Sequence, residues 1–204
     1  MATSTIYVDI LSRLLGIPGP TIATYIQRLR EDETIFRRGK QGPGAVDLTV
    51  GELANLVIAL CATPSTGRRA PNPLDVVRTC RVAKKLTDGA LPSQIYDDIS
   101  YFAFSKAATF GDALEALITD MRSGAYAAWK GETYPHALIR FYDHGGRIFV
   151  NFHRDPTSPS SFIIFRNDNG DFGGPCLNQI AELDLFALEA VAQAMGSIGP
   201  KPAT

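Results

Sequence analysis

The sequence predicts an α+β protein in which a helical N-terminal segment precedes a small antiparallel sheet, a β-hairpin plus a third strand, covered by a C-terminal helix. Three observations support this fold class. Apolar residues recur at spacings of three and four up to about residue 122, which predicts helices. After Pro135 the spacing changes to two, which predicts strands. The chain has 204 residues, 45% of them hydrophobic, and this is enough apolar material for a buried core.

The first element is a pair of helices joined by a short turn within residues 11–29. Gly16 stands where such a turn needs a residue that tolerates a positive φ. Ile17 is expected to pack beneath the turn, and Ile22, six residues after the glycine, to lock the two helices together. The spacing therefore predicts a helix-turn-helix.

The second helix of this pair is amphipathic when its residues are projected at about 100° each. The side expected to face the core contains Ile22, Tyr25, Ile26 and Leu29. The opposite side, the candidate recognition face, contains Pro20, Ala23, Thr24, Gln27, Arg28 and Glu31. Gln can pair with adenine, Arg with guanine or phosphate, and Thr with phosphate or a thymine methyl group. This face therefore has side chains suited to the major groove of DNA.

A basic, glycine-rich loop follows the helix pair. Its cations are Arg37, Arg38 and Lys40, and three glycines between residues 39 and 44 would let its backbone approach a phosphate strand. The loop is interpreted as a β-wing. Thr49 and Glu52 have the spacing of a capping box, so a third helix is expected directly after the wing.

This order of helix, turn, helix, basic wing and capped helix resembles the winged helix-turn-helix domain of MerR-type regulators and of small bacteriophage and prophage proteins. The resemblance covers residues 7–62. It implies DNA base contacts by Thr24, Gln27 and Arg28. It implies phosphate contacts by Arg13, Arg37, Arg38 and Lys40. The long dimerisation helix and effector-sensing cysteines of MerR proteins have no identified counterpart.

A stretch rich in Pro, Ser, Thr and Gly at residues 63–73 is the best linker candidate. It predicts two domains: residues 1–62 as the DNA-binding domain, and residues 74–204 as an α+β domain for oligomerisation or partner binding. Asn72 and Pro73 form a good cap and first-turn pair for the next helix.

The elements of the second part follow from periodicity. The predicted elements are a helix from residue 73 to about 88, a helix over 110–122 stopped by Gly124, a hairpin built on Ile139, Phe141, Ile148, Val150 and Phe152, a strand at 162–165, and a final helix containing Ile180, Leu183, Leu185, Leu188 and Val191.

Charge and cysteine content limit the function classes. The net charge is −1, so a nucleic-acid surface has to be a local patch. Cys61, Cys80 and Cys176 are odd in number and far apart, which indicates neither a disulfide framework nor a CxxC metal site. A reducing, cytoplasmic location is expected. No apolar run approaches the roughly 20 residues that cross a bilayer, so no membrane association is expected.

A second group of cations lies after residue 67. Its members are Arg68, Arg69, Arg78, Arg81, Lys84 and Lys85. This group could extend a DNA footprint or form a solvated helix face, and the sequence leaves both interpretations open.

Metal and catalytic sites are not indicated. His136, His144 and His153 match no compact ligand spacing, and the polar run at 167–171 lacks the glutamate that would complete a calcium loop. No nucleophile elbow, Walker loop or dinucleotide fingerprint occurs. We therefore expect no enzymatic activity, no cofactor and no bound metal.

These observations together favour a sequence-specific double-stranded DNA-binding protein, most simply a bacterial or phage transcription regulator that acts as a homodimer. A protein partner could bind through the C-terminal domain. One alternative is a small-terminase-like DNA-recognition subunit of phage packaging, which would assemble into a ring. Another is a protein-interaction module in which the helix-turn-helix is only scaffold.

Overall fold

The computed structural model describes residues 2–37, 48–63, 71–87, 93, 102–130, 136–142, 147–153, 161–167 and 181–196. Within these ranges the chain forms eight helices and one five-stranded antiparallel sheet. The predicted α+β class is confirmed.

Four helices form the first part of the chain. They are α1 (Ala2–Leu15), α2 (Gly19–Leu29), α3 (Val50–Ala62) and α4 (Pro73–Arg81). The predicted capping box begins α3: the Thr49 hydroxyl accepts from the Glu52 N–H, and the Glu52 carboxylate accepts from the Thr49 N–H. Asn72 caps α4 as predicted, because its side chain accepts from the Leu74 N–H at 3.1 Å.

Four further helices lie in the second part. They are α5 (Ala103–Lys106), α6 (Phe110–Ser123), α7 (Ala125–Lys130) and α8 (Leu185–Gly196). The Thr109 side chain accepts from the Asp112 N–H and so caps α6. Gly124, with φ of +81°, ends α6 as predicted, because glycine adopts the left-handed conformation without strain.

The strands form one sheet in the order β1-β4-β3-β2-β5. They are β1 (Lys84–Lys85), β2 (His136–Tyr142), β3 (Arg147–His153), β4 (Ser161–Arg166) and β5 (Ala181–Asp184). The predicted hairpin is β2 and β3, with Ile139 opposite Val150 and Phe141 opposite Ile148. The predicted third strand is β4.

The sheet is wider than the sequence predicted, because both of its edge strands were expected to be helical. The helix over residues 73–88 ends at Arg81, and Lys84 pairs with Arg166 of β4. The final helix begins at Leu185, and the four preceding residues pair with β2 as strand β5. In both cases pairing with a distant strand overrides local periodicity.

The hydrophobic core is built around α3. All residues from Glu52 to Leu60 are buried, so this helix has no solvent-facing side in that stretch. It packs against α2, α4 and α6 and against strands β2 and β5. One cluster of buried residues extends from Leu11 of α1 to Ala192 of α8. The core therefore crosses the predicted 63–73 linker, while the division into two domains stays a prediction.

A shared core makes a direct test of that division possible. A fragment of residues 1–66 would expose the sides of α3 that pack on α6 and on the sheet, so we expect it to lack cooperative unfolding. Thermal and urea unfolding followed by circular dichroism would measure this, with the full chain as reference. A fragment that unfolds cooperatively would instead support two domains.

Candidate nucleic-acid interface

The turn between α1 and α2 depends on one glycine. Gly16 has φ of +67° and directly follows the last residue of α1. A Cβ atom built at this position would meet no atom within 4 Å, so backbone conformation rather than space requires glycine here. The Pro18 carbonyl then accepts from the N–H groups of Thr21 and Ile22 at 2.9 and 3.2 Å, which starts α2.

The two faces of α2 agree with the predicted periodicity. Ile22, Ile26 and Leu29 are 0%, 6% and 0% exposed, and Tyr25 is partly buried. All six members of the candidate recognition face are exposed: Pro20, Ala23, Thr24, Gln27, Arg28 and Glu31. The helix therefore has one buried stripe and one solvent-facing side that bears both the polar and the cationic groups.

Thr24, Gln27 and Arg28 lie three and four residues apart, which brings them onto one side of the helix. The Thr24 hydroxyl donates to the Pro20 carbonyl at 2.9 Å, so its methyl group and its oxygen lone pairs are what it can offer to a ligand. Arg13 is exposed in the last turn of α1. These four predicted contact residues are thus exposed on the helix pair.

Arg37 has a partner inside the protein. Its Nε and Nη2 atoms donate to the two carboxylate oxygens of Glu52 at 2.8 and 2.7 Å, and its backbone N–H donates to the same carboxylate at 3.0 Å. The Glu52 side chain is 7% exposed and the Arg37 side chain 48%. Arg37 therefore anchors the segment after α2 to the beginning of α3, and its phosphate contact stays a prediction.

The ionisation of Glu52 reflects this pairing. Burial opposes the charged form, but the hydrogen bonds from the Arg37 guanidinium, the Thr49 N–H and the Arg37 N–H outweigh it and lower the pKa of Glu52 to about 2. The carboxylate thus stays charged at neutral pH, caps α3 and binds Arg37 at the same time. Sequence spacing indicated the cap alone, since the Arg37 contact spans fifteen residues.

The remaining cations do not form the single basic helix face that the sequence suggested. Arg78 donates to Asp32 at 2.6 Å and to Asp75 at 3.4 Å. Lys84 and Lys85 lie in strand β1, and the Lys85 ammonium group donates to the Ser105 carbonyl. The predicted contacts Arg38 and Lys40, together with Arg68 and Arg69, lie outside the described residues.

A polar cleft of about 340 Å³ separates the segment after α2 from α4 and α6. Arg81 crosses it: its guanidinium donates to Asn55 at 2.8 Å and also to Glu115. The Asn55 amide donates in turn to the Ile35 carbonyl at 2.6 Å. Gly111 makes room for Arg81, since a Cβ there would lie 3.1 Å from the Arg81 carbonyl oxygen. This network fixes the helix pair to the rest of the protein.

The described residues also limit metal binding, thiol chemistry and membrane insertion. No group of three or more His, Cys, Asp and Glu side chains among the described residues could hold a metal ion. Cys61 and Cys80 are thiols rather than half-cystines, and burial raises the pKa of both, that of Cys61 to about 12. Of the helices that the structure describes, none is long and apolar enough to cross a membrane.

No protein-family model, curated protein or solved structure matches this chain. The resemblance to winged helix-turn-helix regulators therefore stays a prediction, and the function has to be inferred from the residues themselves.

The turn gives a first test at the site. Gly16→Ala should lower the free energy of unfolding by roughly 1 to 2 kcal/mol, because the left-handed backbone conformation is higher in energy for alanine than for glycine. Crowding adds nothing to this effect, since no atom lies within 4 Å of the added Cβ. Gly16→Asn should lose less, since asparagine tolerates this conformation better. Urea unfolding of the two variants measures the difference, and equal losses would mean that φ is not the reason for glycine.

The Glu52 network predicts a pH dependence. The pKa of Glu52 is about 2 in the folded protein and about 4.3 in the unfolded chain. The charged carboxylate therefore stabilises the fold fully above about pH 5, and this contribution is lost as the pH falls towards 2. Glu52→Gln should therefore lower the free energy of unfolding by roughly 2 kcal/mol at pH 7. The gap between wild type and variant should shrink as the pH is lowered.

Urea titrations at pH 7, 4 and 2.5 would measure that gap. The same substitution at the exposed Glu31 is the control, and it should change the unfolding free energy at pH 7 by less than about 0.5 kcal/mol. A Glu52→Gln gap that stays constant over this pH range would contradict the role assigned to the carboxylate.

Proposed function

We propose that this chain binds double-stranded DNA in a sequence-specific manner, with the exposed face of α2 in the major groove, and that it acts as a bacterial or phage transcription regulator. The observation that supports this most is the amphipathic character of α2, which has one buried and one exposed side. The helix buries Ile22, Ile26 and Leu29 and exposes Thr24, Gln27 and Arg28 directly after a short glycine turn.

The exposed groups match the chemistry of base edges. The Gln27 amide can both donate to and accept from adenine, and the Arg28 guanidinium can donate twice to guanine. Thr24 offers a methyl group for contact with thymine, since its hydroxyl hydrogen is held by Pro20. Three neighbouring side chains with different preferences are what a short recognition helix needs to discriminate sequences.

Phosphate contacts complete the proposed interface. Arg13 is exposed one helix away from the recognition face, and Arg38 and Lys40 follow in the wing predicted from the sequence. Arg37 serves chiefly to hold the base of that wing against α3 through Glu52, with half of its side chain still exposed to a phosphate. The contribution of these cations is local, because the net charge of the chain is −1.

The proposed assembly is a cytoplasmic homodimer on a two-fold symmetric site, with the second part of the chain providing the dimer contact or a protein partner. A single recognition helix reads few base pairs, so two copies are needed for useful specificity. Solution mass separates this proposal from a packaging subunit, since a closed ring of eight or more copies would contradict a dimeric regulator.

The proposal is tested with two variants on α2. After recovery of the preferred site from genomic DNA, Gln27→Ala and Arg28→Ala should each weaken binding to that site by on the order of 1 to 3 kcal/mol and relax the base preference. Affinity for random duplex should change less. Fluorescence anisotropy with labelled duplexes of equal length measures both.

A control variant separates loss of contact from loss of fold. Lys106→Gln removes an exposed cation on α5, outside the proposed interface, and should keep the affinity and the thermal unfolding midpoint of wild type. Absence of any binding to genomic duplex at low salt, with all proteins folded, would reject the proposal and favour a helix-turn-helix that is only scaffold.

A further inference from the structure

The outer face of the sheet is distinct from the face that forms the core. In each strand alternate residues point to opposite sides. Phe141, Ile148 and Phe165 are buried and share one row, and α5 and α6 pack on residues of that same side, such as Ile139 and Val150. The residues that alternate with these along each strand lie on the outer face.

Aromatic side chains cross this outer face diagonally. Tyr142 of β2 and Phe149 of β3 have ring centroids 5.6 Å apart, and Phe149 and Phe162 of β4 stack with centroids 6.5 Å apart. All three rings are partly exposed. Ile164, next to them on β4, is buried, and its backbone pairs with Leu86 and Ser93. The partly exposed aromatic stripe therefore runs over β2, β3 and the end of β4 that holds Phe162.

Cations line one end of the same face. The register aligns Lys84 of β1 with Arg166 of β4, and Arg166 with Arg147 of β3; Tyr142 completes the row on β2. All three cations are exposed. Neighbouring strands lie about 4.8 Å apart, so three positive charges follow one another across the sheet at close spacing.

No carboxylate shares this row among the residues described on β1, β4, β3 and β2. The outer-face carboxylates Glu182 and Asp184 lie on β5, at the opposite edge, and Glu182 accepts from Arg140 at 2.6 Å. Like charges directly opposite each other weaken strand pairing. An anion that bridges Lys84 and Arg147 would offset the repulsion along the row.

We infer that the outer face of the sheet binds single-stranded nucleic acid. Exposed bases stack on Tyr142, Phe149 and Phe162, while the phosphates contact Lys84 and Arg147. Aromatic platforms beside a basic strip are the general means of binding single strands, because every base has a π-face. Duplex DNA fits this face poorly, since its bases already stack on one another. The site is separate from α2 and does not depend on the function proposed for that helix.

The experiment uses the full chain with labelled dT12, rU12 and a 12-base-pair duplex, followed by fluorescence anisotropy. Phe149→Leu keeps an apolar side chain and removes the ring, and it should weaken binding of the single strands roughly ten-fold. Lys84→Gln combined with Arg147→Gln should make the slope of log K against log salt shallower by roughly 1.4, about 0.7 for each lost phosphate contact. Comparison of dT12 with rU12 tells whether DNA or RNA is preferred.

Two controls make the result specific. Lys106→Gln removes an exposed cation on α5 and should leave single-strand affinity and salt slope unchanged. Arg28→Ala on α2 should also leave single-strand binding unchanged, which separates this site from the duplex interface. Variants are compared only where thermal unfolding matches wild type.

If neither dT12 nor rU12 binds at low salt, the inference is overturned. It is also overturned if the Phe149→Leu and Lys84→Gln/Arg147→Gln proteins keep wild-type affinity for single strands. If these substitutions instead change the solution mass without changing oligonucleotide binding, the face is a contact between protein chains and the inference is likewise wrong.

Discussion

The structure depends on one constraint, which is that α3 is buried on every side from Glu52 to Leu60. A helix with an amphipathic pattern can lie on a surface, but one that is hydrophobic all round has to be enclosed. Helices α2, α4 and α6 and strands β2 and β5 supply that enclosure. The helix pair that presents Gln27 and Arg28 is therefore held by the same element that supports the sheet, so the two candidate surfaces have a fixed scaffold in common.

Glu52 and Asn55 are the polar exceptions within α3, and the position of Glu52 explains how the first part of the chain is oriented. Its carboxylate accepts from the backbone and hydroxyl of Thr49 and from the backbone and guanidinium of Arg37. A buried charge is tolerable when its oxygens are satisfied in this way. The carboxylate thus joins the helix cap to the segment that follows α2, and it determines where the chain leaves the helix pair.

Local signals in the sequence predicted the elements that local chemistry controls. The caps at Thr49 and Asn72 and the stop at Gly124 follow from residue type, and the buried stripe of α2 follows from periodicity. The exposure of Thr24, Gln27 and Arg28 was predictable for the same reason.

Other features depend on residues far apart in the chain. Strands β1 and β5 form because β4 and β2 offer unpaired edges, and no property of Lys84 or Ala181 alone indicates this. The contact between Arg81 and Asn55 spans 26 residues and requires Gly111 as well. The aromatic stripe and the cation row likewise appear only when strand register is known, since their members come from separate segments.

The packing of α1 against α8 affects the order in which the protein can mature. Leu11, fully buried in the folded chain, belongs to a helix whose partner begins only at residue 185. At ribosomal rates of about 5 to 20 residues per second, roughly 10 to 30 s pass between synthesis of the two helices. During that interval the apolar side of α1 lacks its final cover, so the helix pair reaches its finished form late in biosynthesis, and a nascent chain is expected to engage chaperones through its N-terminal region.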